Sequence, residues 1–324
     1  ADLILVGGSL LTTDGFDAFL EENDLKSYAT RDASDEQVAA AFLKASFPQA
    51  VADDLRAYLA RMTYPLAVRS SSLLEDATFR AYAGLYRTVM LPNDHPSLDL
   101  RLKQLIAAIQ LVYASTYFQS PKAFSRRVGH RTEEEKMAVI IQRLVGGANG
   151  RYFYPAISGV AQSYNYYPFG PMKPEDGIAT IALGLGKTVM EGEKSLRFSP
   201  RHPQVLPQRS TVNDIIENCQ RFFYSVKLGG PYPPPGSGED LFLEKREVTD
   251  AAAEPAVTAL ASWFLPGEGR IKDSLDRAGF PVLTFNPVLK QDLFPLAPLL
   301  CDALALGQEG IGSPIELEFS VDLG

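Results

Sequence analysis

Cysteine is scarce: the chain of 324 residues has two, Cys219 and Cys301, with neither metal-site nor CxxC spacing. They read as buried thiols of a reducing compartment and exclude a disulfide framework. Positive charge is also short. With 31 Lys and Arg against 39 Asp and Glu, the formal charge is −8 and no basic stretch compensates. That balance argues against a nucleic acid or an acidic membrane surface as partner. Long apolar runs are missing too, since Phe294–Leu306 is interrupted by Pro295, Pro298 and Asp302 and is too short to span a bilayer. The first residues, ADLILVGG, lack the basic leader and long apolar region of a secretory signal. The expectation is a cytoplasmic protein with no membrane contact.

What the chain does have is 46% apolar residues, enough for a substantial core and two lobes. The first lobe reads as helix-rich. Ser34 and Gln37 form a capping-box start to a helix that Pro48 closes, and Val51, Leu55, Tyr58, Leu59 and Met62 continue with helical spacing. Leu98, Leu102, Leu105, Ile109 and Val112 define a long amphipathic helix. The charged stretch Arg126–Lys136 marks the passage to the second lobe, giving lobes of residues 1–130 and 131–324. There Ala138–Leu144, Arg151–Tyr164 and Ile178–Leu183 read as strands. Val212 to Phe223, opened by Thr211, reads as a helix, and a last helix covers Pro255–Phe264 before the strand Ile315–Val321. GGPYPPPGSG, at Gly229–Gly238, reads as a stiff exposed loop.

The chemistry concentrates in Tyr64–Asn93, YPLAVRSSSLLEDATFRAYAGLYRTVMLPN. A strand-like run delivers Arg69 into Ser70, Ser71 and Ser72, followed by Glu75, Asp76 and the small-residue turn Ala83-Gly84. A guanidinium chelates phosphate oxygens with two donors, and hydroxyls and backbone N–H groups can complete an anion cradle. From the residues alone, serines that follow a strand are more often turn residues or helix caps than phosphate ligands. At the far end, Glu316 and Glu318 stand two apart on a strand, so both carboxylates face one side. Such a pair suits Mg²⁺ that also bridges phosphates, or simply a solvated edge strand.

VRSSSLLED…YAGLYRTVMLPN resembles the signature VRSS…ED…FAG…T.LN of the nucleotide-binding domain shared by phosphoenolpyruvate synthase and pyruvate phosphate dikinase. Further blocks follow in the right order. Lys136–Val145, KMAVIIQRLV, is similar to MAVxVQxMV; Ser158–Ala161 to SGVAFT; Ala182–Gly192 to WGLGExVVxG; and Glu316–Phe319 to D-I-E-[FW]. The resemblance implies an α+β, ATP-grasp-like fold whose two lobes close on a nucleotide, with ATP and Mg²⁺ as cofactors. It makes Arg69 catalytic and places Arg69, Ser70, Ser71, Ala83 and Gly84 at the phosphates. Gln142, Arg143, Leu144 and Val145 would meet the adenine edge. Glu316 and Glu318 would hold the metal, with Glu316 standing where the family usually has aspartate.

The same resemblance implies transfer of the β-phosphoryl group of ATP to a carrier histidine on another domain, and thence to pyruvate. His95, His130 and His202 do not match the carrier motif and are expected to be structural or exposed. The family's GGKxxxL loop would lie before Ala1 and its L-Q-x-R strand after Gly324. The expectation is therefore a piece of a larger protein, inactive alone, whose partners are the phosphohistidine and pyruvate-binding domains of the parent chain. A glucan, water dikinase or rifampicin phosphotransferase would share this domain, and a non-catalytic nucleotide sensor remains a third reading. GLGKT, at Gly184–Thr188, is not a Walker A loop, because Ile181 stands where its first glycine must be. Lys187 replaces the family's glutamate there and could touch a phosphate or be a solvated turn lysine.

Overall fold

The computed structural model describes residues 8–72, 75, 84–206, 209, 211–232, 240–273 and 279–323. It has the expected α+β class. Two units emerge, one of residues 8–144 with 226–243 and one of residues 145–225 with 244–323. The division falls between Leu144 and Val145 rather than at 130/131, because the last strand of the first unit continues to Arg143.

The first unit starts with β1 (Gly8–Leu11), α1 (Thr13–Glu22), α2 (Asp35–Lys44) and α3 (Gln49–Arg61). It continues with β2 (Leu66–Ser71), β3 (Thr88–Leu91), α4 (Leu98–Ser115), α5 (Gln119–Val128) and β4 (Ala138–Arg143). Ser34 caps α2 in a reciprocal box with Gln37, as the sequence predicts. Pro48 does not close that helix; it stands at the N-cap of α3, where its fixed φ suits a helix start. The strands form an antiparallel sheet in the order β1-β4-β2-β3. One of its faces is apolar: Val68, Val89, Leu91, Val139 and Ile141 are buried. α4 packs against β2 and β3, and α1 against β4. The amphipathic reading of α4 holds only for its first turns. From Ala107 to Ser115 every residue is buried, because α2 and α3 also pack on it. Phe16, Phe19, Phe42 and Tyr113 make edge and tilted ring contacts at 5.0–5.8 Å in this core.

The second unit follows with β5 (Gly147–Asn149), β6 (Tyr152–Tyr154), β7 (Ile157–Gln162), β8 (Ile178–Ala182), α6 (Lys187–Met190) and β9 (Leu196–Phe198). Then come α7 (Val212–Asn218), β10 (Phe222–Lys227), β11 (Leu243–Glu247), α8 (Pro255–Leu260) and β12 (Ala261–Leu265). β13 (Arg270–Lys272), β14 (Phe280–Leu283), α9 (Asn286–Leu289), α10 (Leu296–Ile311) and β15 (Glu316–Val321) complete it. The sheet orders are β11-β10-β6-β5, β13-β12-β14 and β15-β7-β8-β9.

Two helix expectations are corrected here. The helix opened by Thr211 stops at Asn218, and Phe222-Phe223 begin β10, since FFYSVK is an aromatic and β-branched run better suited to a pleated sheet. The helix at Pro255 stops at Leu260, and Ala261–Leu265 cross into a strand. Nor is it the last: α9 and α10 follow, with Pro298 accommodated in the first turn of α10 because the N–H groups there have no intrahelical partner. Arg151–Tyr164 is two strands, split at Pro155. Cys219 is buried, whereas Cys301, on α10, is only half-buried. Residues 229–232 carry no regular structure, and the rest of the proline-rich loop up to Asp240 lies outside the described residues.

Candidate functional site

β2 ends in Arg69, Ser70 and Ser71, and the alternation of a strand separates them. Opposed residues on neighbouring strands project from the same face. Arg69 pairs with Ile140 of β4 and Thr88 of β3, and Ala67 pairs with Gln142 and Met90. Gln142 in turn pairs with Gly8 of β1. Arg69, Ser71 and Gln142 therefore share one face of the sheet. Apart from Ala67 its side chains are half-buried or exposed, up to 59% for Leu10. We call it the open face.

Ser70 projects from the other, buried face, with Val68 and Val139. Its hydroxyl donates to Glu75 Oε1 at 2.8 Å. The Ser72 N–H donates to Glu75 Oε2 at 3.2 Å, and the Glu75 N–H to Ser72 Oγ at 3.4 Å. That reciprocal pair has the pattern of a capping box, S-x-x-E, legible at Ser72–Glu75 in the sequence. Gly84 has φ +79° and open space where a side chain would stand, so its left-handed backbone is what calls for glycine. Ala83 and Asp76 lie outside the described residues.

The segment expected at the adenine edge joins the two units. Arg143 is exposed with its guanidinium 5.0 Å from the Tyr64 ring centre. Leu144 is buried, and its N–H donates to Pro65 O at 2.9 Å. Val145 is half-buried.

In the second unit β15 is an edge strand on β7, and its residues alternate as the sequence requires. Glu316, Glu318 and Ser320 are exposed, while Leu317, Phe319 and Val321 turn inward. Gln162 Nε2 donates to Glu316 Oε2 at 2.5 Å. Among the described residues no group of three or more His, Cys, Asp or Glu could hold a metal ion. Two carboxylates on one strand face are a donor set for a cation that takes its other oxygens from phosphate and water, as Mg²⁺ does.

The remaining motif residues knit this unit together. Gly159 lies opposite Phe319, and a Cβ there would come within 2.6 Å of the ring. Ser158 Oγ donates to Gly184 O at 2.7 Å. Gly184 itself, with φ +85°, lies so close to β10 that a Cβ would meet Tyr224 O at 2.7 Å. The GLGK turn is thus held by backbone packing. Lys187 Nζ sits 2.7 Å from Glu191 Oε1 and over the Tyr224 ring. Beside it Glu193 is partly buried, but hydrogen bonds from Lys245 and Tyr224 hold its carboxyl below the usual range. Each histidine has a structural neighbour: His95 Nδ1 accepts the Ser97 N–H, His130 faces Glu135 and His202 faces Asp176. No helix among the described residues is long and apolar enough to cross a membrane.

A family model described as "Pyruvate phosphate dikinase, AMP/ATP-binding domain" matches residues 3–278. The match thus takes in β2, β4 and the GLGK turn and ends before β15. An uncharacterized phosphotransferase of Bacillus subtilis, YvkC, is 24% identical over 191 residues, covering 57% of this chain and 20% of that protein. A phosphoenolpyruvate synthase of Deinococcus radiodurans is 27% identical over 215 residues, covering 59% of this chain and 24% of that protein. The chain thus spans a quarter or less of the curated relatives it matches. With most of its length matched and the motifs in order, the chain belongs to the pyruvate phosphate dikinase AMP/ATP-binding domain family.

Proposed function

We propose that this chain is the ATP-binding part of a phosphoenolpyruvate synthase-like dikinase, with an ATP-grasp-like arrangement of two lobes closing on the nucleotide. The observation that carries this reading is the shared open face of the first sheet. Arg69, Ser71 and Gln142 stand together there, while Val68, Val139 and Ile141 of the same strands face the core. On that face Arg69 binds the ATP phosphates and donates to the oxygens over which charge spreads during transfer. Ser70 contributes indirectly, by holding Glu75. The main chain at Gln142–Val145 reads the adenine edge, so its side chains are free to serve packing, as Leu144 does. Mg²⁺ would be held by Glu316 and Glu318, with phosphate oxygens completing its shell, and when bound it neutralises charge on the phosphates.

The full protein transfers the β-phosphoryl group to a histidine on a separate domain and from there to pyruvate. A dikinase of the glucan, water or rifampicin type would use the same residues, since the acceptor is chosen by other domains. The test is Arg69→Ala in the parent enzyme, comparing single-turnover histidine phosphorylation with equilibrium ATP binding. The rate should fall ~10²–10³-fold, and affinity much less. Equal losses in both would make Arg69 a uniform binding residue, and no loss in either would make β2 merely structural.

A further inference from the structure

A recess of about 400 Å³ in the second unit is lined by none of the motif residues. It opens where β10 begins and β11 ends, beside β12 and β14. Its floor is apolar, with Cys219, Val248 and Val282 buried. Gln220 is buried there too, but its amide is fully engaged. It accepts the Leu183 N–H at 2.8 Å and donates to Leu183 O and Phe222 O, each at 2.9 Å. The body of a ligand must therefore be apolar, since a polar group pressed on this floor would lose its water without finding a partner. Three phenylalanines make the walls. Phe264 and Phe280 stand opposite each other on β12 and β14 and so project from one face of that sheet. Phe280 is 60% exposed and Phe222 39%, a concentration of open aromatic surface of the kind that marks a binding site.

Two opposite charges complete the lining. Arg221 and Glu247 are both exposed, and the Val248 N–H donates to Arg221 O at 2.9 Å, which keeps the two residues on adjoining strands. Among the described residues neither has an ion-pair partner; Glu247 Oε2 accepts only from Thr249 Oγ1, at 3.1 Å. A polyphosphate would set its charge against Glu247, an organic cation would face Arg221, and an uncharged ligand would use neither. A zwitterion satisfies both, because a guanidinium takes a carboxylate with two donors and a carboxylate takes an ammonium. The volume lies towards the small end of ligand pockets, roughly 300–1,000 Å³, which suits a single small metabolite.

We propose that this recess binds a free α-amino acid with a large apolar side chain. Arg221 holds its carboxylate, Glu247 its ammonium, and Phe222, Phe264 and Phe280 enclose the side chain. The site shares no residue with the nucleotide assignment and stands or falls without it.

The test is calorimetry of residues 1–324 with L-phenylalanine, 3-phenylpropanoate, which lacks the ammonium, and phenethylamine, which lacks the carboxylate. L-Phenylalanine should bind at one site, and each analogue about tenfold or more weaker, the loss of one hydrogen-bonded charge. Arg221→Gln should bring L-phenylalanine down to the level of phenethylamine and leave phenethylamine little changed. Glu247→Gln should do the same relative to 3-phenylpropanoate. A general loss of structure would instead weaken all three ligands together, and Trp263 fluorescence checks the fold of each variant. Should a variant fail to fold, the order of the three ligands on the unsubstituted chain decides. Equal affinity for all three, or no heat from L-phenylalanine at about ten millimolar, overturns the proposal. One-for-one displacement of L-phenylalanine by AMP also overturns it and makes the recess part of a nucleotide site.

Discussion

Gly159→Ala should destabilise the second unit by an amount set by its two flanking strands. β7 runs between β15 and β8, so an added methyl has nowhere to go. It would lie 2.6 Å from Phe319 Cζ on one side and 2.6 Å from the Thr180 carbonyl on the other. Overpacking of this kind costs ~1–3 kcal/mol. Part is returned because alanine has less freedom than glycine in the unfolded chain, ~0.4–1 kcal/mol. A net loss of about 1–2 kcal/mol is expected. The Phe319 ring can turn aside, but the Thr180 carbonyl belongs to the β7–β8 ladder and cannot. Phe319→Leu added to Gly159→Ala should therefore recover only part of the loss relative to Phe319→Leu alone. The single tryptophan, Trp263, is buried in β12 of the same unit and reports on its urea unfolding by fluorescence. A midpoint and slope unchanged from the unsubstituted chain would refute the packing account of this glycine.

Asn93→Ala should cost roughly 2–4 kcal/mol, because Asn93 holds φ +51° and its side chain bonds Met62 O, Tyr64 O and Arg101 Nη1; denaturation at neutral pH measures it, and a near-neutral result would show these bonds to be incidental. Arg246→Lys should lose ~1.5–3 kcal/mol, since a lysine cannot reproduce the paired bonds to Glu254 or the stack 3.8 Å over Tyr152; equal stability of the two proteins would rule this out. The Asp176 carboxyl is held below the ordinary value of 3.8, first by the Lys173 N–H and then by His202. A depressed carboxylate stabilises the fold above that value and loses its contribution as pH falls through the folded pKa. The melting-temperature gap between Asp176→Asn and the unsubstituted chain should thus be open at pH 7 and close in acid; a gap independent of pH would point to a steric cause.

The parts of the fold legible in the sequence are those where local chemistry and packing agree. Ser34 with Gln37, Thr211 with Asp214 and the alternating ELEFSV strand all declare themselves at short range. The misread stretches are those where a helical stripe runs on into a strand. Val212 to Phe223 keeps an apolar period that suits a helix, yet the buried Gln220 side chain, bonded to Leu183 N–H and O, fixes the chain beyond Asn218 to the GLGK strand. That constraint comes from residues 37 positions away and leaves no local trace. At the candidate site the sequence brings Arg69, Ser70 and Ser71 together, while the period of two parts them. The burial of Glu135 is again decided at long range. A lone glutamate in a charged run reads as solvated, and the packing that covers this one leaves no local trace.

The first unit is discontinuous in sequence, and this orders events during synthesis. Residues 8–144 emerge from the ribosome first, but Asp94 and His95 must wait for Gly229 and Tyr232, whose N–H and ring they bind. All of residues 145–225 has to be made before those contacts can close. A nascent chain halted at 144 would present the β1-β4-β2-β3 sheet without the segment that returns to it, a state open to chaperones and to wrong partners. Gene fusions or truncations cut between Leu144 and Val145 would recreate that unfinished state permanently. Joining 226–243 directly behind 144 by a short linker would instead offer the unit every contact it makes with itself.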